Sequence, residues 1–202
     1  MRKSFRLISF LLASVSPSLA QPLPKSGGTP FPEPPSEPKY KQESPLPKGW
    51  PEPGPFNQVV LKTYPAYRAA FTAESNLNGG FMRLFKHISK NNIPMSAPVE
   101  MRLDETDIQS VKMEEMAFIY QSPQVGNAGG DGDKVEVRDV PAQQALSYAW
   151  IGSHDAVTKA RAMIDAELGK RKIKASGYRL LGYNSPFVPR SKQTHELQAL
   201  IK

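Results

Sequence analysis

Three histidines, seven methionines and no cysteine bound the chemistry open to this 202-residue chain. Without a thiol there is no cysteine nucleophile, no Cys-bound zinc and no disulfide. His87, His154 and His195 are too scattered to form a recognisable metal motif. No Gly-x-Ser-x-Gly elbow and no phosphate-cradling Gly-rich loop appears; Gly79-Gly80 precedes a helix but lacks the following lysine. The carboxylate pairs Asp104-Glu105 and Glu114-Glu115 fall in or beside strands and loops. Adjacent strand residues point to opposite faces, so these pairs read as solvated surface rather than acid/base machinery. The expectation is a protein that is not an enzyme. What remains is binding.

One stretch, residues 79–101, gathers the residues suited to it. Phe81, Leu84, Phe85 and Ile88 recur at i, i+3, i+4 and i+7, which predicts a helix over 79–89 with Asn78 as its N-cap. Arg83, His87 and Lys90 then fall on the opposite face, toward solvent or a ligand. Pro94 and Pro98 end the helix and make a Met-lined loop before a strand near Val99. Phe81, Met82, Phe85 and Met95 supply soft apolar surface, suited to a flat ligand or to ordinary core gaps. Arg83 and Lys86 could pair with a ligand carboxylate or simply be solvated. His87 is the one residue here that could ligate a metal.

The elements that must hold this stretch come in two similar sets. Strands are expected at 58–63 and 66–72, hinged at Tyr64-Pro65, then the helix, then strands at 99–103 and 112–120. After a polar, turn-rich loop at 126–133, Val135–Ala142 parallels Val59–Ala66, with prolines 76 residues apart at Pro65 and Pro141. A strand over 143–151 follows. A helix begins near Ser153, with Val157, Ala160, Met163, Ile164 and Leu168 as its stripe, and strands at 177–183 and 194–201 close the set. The fold class is α+β: a distorted antiparallel β-barrel of two similar ββαββ halves with two flanking helices, sharing one core.

Ahead of this domain, residues 1–20 have the basic start, short apolar run and Ser18-Leu19-Ala20 ending of a signal peptide, so the expected location is secreted or periplasmic. That apolar run is too short to span a bilayer. Residues 21–55 hold 12 prolines and read as a disordered, proline-rich linker, a spacer with Trp50 the one residue placed to pack on the domain edge. The globular domain is then 56–202. The net charge of +7 falls to +4 once the three leader cations are removed, and the remaining excess is spread thinly, which argues against nucleic acid. Lys170-Arg171-Lys172 follows a helix, where cations suit the dipole.

From Phe56 onward the chain resembles the SOUL haem-binding family. Tyr64-Pro65-Ala66-Tyr67, the helix Gly80–Ile88, the run Asn91-Asn92-Ile93-Pro94-Met95-Ser96-Ala97-Pro98-Val99, and Gly182–Phe187 through His195-Glu196-Leu197 carry the likeness. The resemblance implies a two-half barrel and non-covalent binding of haem or another tetrapyrrole in a groove beside the first helix. Phe81, Phe85 and Lys86 match groove contacts by position. Lys62, Thr63 and Tyr64 stand where some relatives have a candidate axial histidine, so binding without strong axial ligation is implied. The rival expectation is an envelope-associated interaction module on the same fold.

Overall fold

The computed structural model describes residues 39–73, 77–103, 112–132 and 134–201. The expected leader, and the expected linker as far as residue 38, lie outside these residues.

Among the described residues there are nine strands and two α-helices; eight of the strands and both helices follow the expected order, and the remaining short strand lies in the stretch expected to be loop. They are β1 (Val59–Tyr64), β2 (Tyr67–Thr72), α1 (Leu77–Lys90), β3 (Val99–Leu103), β4 (Met113–Ile119), the short β5 (Gly129–Gly130), β6 (Glu136–Val140), β7 (Gln143–Ile151), α2 (Val157–Arg171), β8 (Ala175–Gly182) and β9 (Thr194–Ile201). All strand pairs are antiparallel. The sheet order is β1-β7-β9-β8-β3-β4-β2-β6-β5. Leave out β5 and exchange each strand for its counterpart in the other half, and the order reads backwards onto itself. The two ββαββ halves thus meet at β3–β8, where Met101 pairs Leu180.

The ladder does not close among the described residues. It begins at β1 and ends at the β5–β6 pair, so the shown class is an open α+β sheet where a barrel was expected. The chain crosses near these ends at Tyr64-Pro65 and Val140-Pro141, and proline supplies no N–H to bridge a seam.

Alternation along the strands divides the interior in two. On one face Met116, Phe118, Leu146, Leu180 and Leu197 pack with Leu84 and Ile88 of α1 and Ile164 and Leu168 of α2. Met163, expected in the α2 stripe, is instead largely exposed, because the stripe that faces the sheet is Val157, Ala160, Ile164 and Leu168. Ser153 caps a 3-10 turn, His154–Ala156, that leads into α2, and Lys172 ends α2 in a left-handed conformation. Asn78 is not an N-cap: α1 already includes Leu77.

The other face carries Tyr64, Tyr67, Phe71, Ile119 and Tyr183. Residues 39–55 lie against it rather than forming free linker. Ala97 N–H donates to the Pro45 carbonyl at 3.0 Å and Lys48 N–H to Gln121 at 2.8 Å. Trp50 is buried, its ring 4.8 Å from Tyr64 and 5.3 Å from Tyr67. An aromatic of that size recovers enough apolar burial to order the segment despite its prolines. Beneath it runs a buried polar chain. Glu196 accepts from Tyr64, Ser147, Lys62 (3.0 Å) and Gln198 (2.8 Å); Gln198 accepts from Arg179 (2.7 Å), which also donates to Glu100 (3.0 Å). These partners satisfy both buried carboxylates, as burial of charge requires.

Candidate functional site

Helix α1 is buried along part of its surface and exposed along the rest. Leu84 and Ile88 enter the core, and Phe81 packs edge-on against Phe118 with ring centres 5.1 Å apart. One turn on, Phe85 stacks on Phe81 at 6.2 Å but is 45% exposed, and Met82 is 50% exposed. The apolar stripe therefore wraps past the core and leaves two large side chains in water.

Beside them the loop from Gln121 to Val135 folds back on α1. Arg68 donates to the Gly126 carbonyl at 2.8 Å. Gly126 has φ +64°, and a Cβ there would lie 3.1 Å from the Tyr120 ring, so only glycine lets the loop pass this close. The β5–β6 turn then sets Asp131, Gly132, Lys134 and Val135 opposite Arg83, Lys86, His87 and Lys90 across a cavity of about 400 Å³. Four of these eight residues are Arg or Lys and one is a carboxylate. The lining is net cationic among the described residues.

Asp131 is held by three groups of α1 and its end: Lys90 Nζ at 2.9 Å, His87 Nδ1 at 2.6 Å and Asn91 Nδ2 at 3.1 Å. Lys90 first, then His87 and Asn91, hold its carboxyl well below the usual carboxylate range. An ionised carboxylate only accepts, so the His87 proton that faces it sits on Nδ1. The other ring nitrogen, Nε2, lies 2.7 Å from the Tyr120 hydroxyl. Burial pushes that phenol up to about 12, with the Asp131 charge adding and Arg68 opposing.

His87 thus departs from expectation. It was placed on the solvent face, yet it is buried, because the 121–135 loop covers that side of the helix. Both nitrogens are engaged, and ligating iron would break the bond to Tyr120 or to Asp131. Among the described residues no group of three His, Cys, Asp or Glu could hold a metal ion. His195 and His154 sit together at the start of α2, ring centres 5.6 Å apart, and not at this cavity.

Of the residues singled out from sequence, Arg83, Lys86 and His87 line the cavity, with Met82 and Phe85 exposed on the same helix. Arg83 also donates to Thr72 at 3.2 Å. Phe81 supports Phe85 from below. Met95 does not join them; it packs against the helix-side core. Asp131, Lys134 and Tyr120 went unnoticed. The four glycines among residues 126–132 were the available signal, marking a loop able to approach a helix closely.

A helix that exposes aromatic and thioether side chains and also lines a cationic cavity combines the apolar and polar surface typical of small-ligand sites. The chain belongs to the SOUL heme-binding protein family, whose model matches residues 52–199. No curated protein sequence matches it. Among solved structures, a hydrolase from Listeria innocua superposes with a TM-score of 0.57 at 8% identity, covering 73% of this chain and 93% of that one. The C-terminal domain of EcmrR gives 0.54 at 12%, covering 72% and 97%. EcmrR in its DNA complex gives 0.55 at 12%, and the match spans 57% of that longer chain. At such identities the likeness is one of fold.

Proposed function

We propose that this domain binds haem or a related tetrapyrrole non-covalently against α1, without turning it over. The observation that carries the reading is the exposed pair Met82 and Phe85 on the same helix that supplies Arg83, Lys86, His87 and Lys90 to the cationic cavity. Their apolar faces would meet the macrocycle, while Lys86, Arg83 and Lys134 would pair with its carboxylates through charge-assisted contacts. The residues fit the porphyrin face and its acids. They do not offer His87 as a ready axial ligand, so binding is proposed without strong iron ligation. Bound haem would supply redox and ligand-binding chemistry at its iron; the chain supplies the surface that holds it. We further propose that the domain is exported and tethered through its proline-rich segment, with the sheet curved toward a barrel. Titrating the full chain with hemin tests this: a saturable Soret shift at micromolar hemin is expected, and its absence overturns the reading.

A second reading, an envelope-associated interaction module, is favoured by Phe187. It is 94% exposed on a loop whose Asn184 and Ser185 are tied to Lys41 and Glu43, with Arg190 and Lys192 beside it. Capture of an envelope partner that Phe187→Ala abolishes and hemin leaves unchanged would favour this module.

A further inference from the structure

We propose that Asp131 is a built-in stand-in for a ligand carboxylate: His87, Lys90 and Asn91 form a carboxylate site that the β5–β6 turn fills until an incoming carboxylate displaces it. The inference rests on the binding reading above and adds how that site is gated.

The three donors stand at i, i+3 and i+4 along the last turn of α1 and just beyond it, so they share one face and converge. His87 is buried and oriented by Tyr120, which makes this a preformed receptor rather than a chance meeting of surface chains. The mount of Asp131 is slight by comparison. The strand that leads into it, β5, is two residues long, and Asp131 N–H donates to the Val135 carbonyl at 2.8 Å. Gly129, Gly130 and Gly132 flank it, and a Cβ at any of them would meet nothing within 4 Å. The Asp131 side chain is itself 26% exposed. A clasp meant for stability would be poorly placed on such a hairpin, since partly exposed ion pairs contribute little. A removable competitor is well placed there.

Once Asp131 swings aside, no other acid among the described residues lines the cavity, and Lys90 joins Arg83, Lys86 and Lys134 around it. The class of ligand is a carboxylate, best one of several carried by the same molecule.

The test compares the full chain with its Asp131→Asn variant against three probes: metal-free mesoporphyrin, its dimethyl ester, and benzene-1,3,5-tricarboxylate. Removing the competitor should tighten the two acids roughly tenfold, the scale of one charge-assisted hydrogen bond, and leave the ester unchanged. Acids bound no tighter by the variant, or a tricarboxylate that binds neither protein, overturn the proposal. Mesoporphyrin that binds neither protein, with the tricarboxylate response intact, defeats the tetrapyrrole reading alone. Should the variant fail to fold, the wild-type ring nitrogens of His87 decide. Saturating tricarboxylate should shift Nδ1 and move the Asp131 amide; two unmoved signals overturn the stand-in.

Discussion

Phe81 and Phe85 stack with ring centres 6.2 Å apart and planes 10° apart; Phe81 is partly buried against the core, and Phe85 is exposed. One is a core residue and the other its exposed continuation. Phe85→Ala should leave thermal stability within about 0.5 kcal/mol, as surface changes usually do. The same change should weaken porphyrin binding about tenfold or more, because it removes the ring on which a macrocycle rests. Phe81→Ala should instead cost about 2–4 kcal/mol, since it opens a hole against Phe118. Paired melting curves and hemin titrations on the two variants check this.

The cationic rim gives a separable prediction. Lys86 and Lys134 line the cavity and are exposed, so their pairing with a ligand acid is screened by salt. The double variant Lys86→Glu, Lys134→Glu should bind mesoporphyrin at least tenfold more weakly at low salt. Its affinity should also change less than wild type between about 0.05 M and 0.5 M salt. Titrations at the two ionic strengths measure both.

His195 sets a pH window for stability. Burial first, then the neighbouring His154, push it down from an ordinary 6.5 to about 4. Between these values the unfolded chain binds the proton and the folded one does not, so stability rises with pH there. The contribution is fully present above about 6.5, falls as pH drops, and levels off below about 4, for a total on the order of 3 kcal/mol. His154 is shifted in the same direction by burial. His195→Phe should flatten the profile in urea melts taken from pH 7 to pH 4.

Arg179 and Glu100 form an ion pair at 3.0 Å with both side chains almost wholly buried. Arg179→Met should cost about 3–5 kcal/mol, because it takes the cation away from a buried carboxylate, Glu100, and leaves it the Tyr67 hydroxyl at 2.7 Å. Denaturant unfolding reads it directly. Porphyrin affinity per folded molecule should not change, since this pair lies on the sheet face away from α1.

Much of the scaffold was legible from the chain itself. Pro65 and Pro141 mark the two crossings, from β1 to β2 and from β6 to β7, and the strands expected at 99–103 and 143–151 match β3 (Val99–Leu103) and β7 (Gln143–Ile151). Half the site was legible too, because Met82, Phe85 and Lys86 follow from one helix's periodicity. The other half was not. Asp131 reaches His87 across 44 residues, and no local period encodes that contact. Placing His87 opposite the apolar stripe overlooked that it stands three residues after Leu84, at the border of that stripe; Tyr120 and the glycine-rich loop that carries Asp131 complete its burial. Trp50 shows the same limit from the other side, for one aromatic sufficed to dock a segment whose prolines argued for free chain.

The location of the ligand is the central claim, and amide mapping tests it most directly. Metal-free protoporphyrin should be titrated into the isotopically labelled full chain while backbone signals are followed. The account predicts that Met82, Phe85, Lys86 and Lys134 move first and saturate together, with Trp50, Tyr64 and Glu196 unmoved. Shifts confined to the Trp50 face, or none at all, would contradict it.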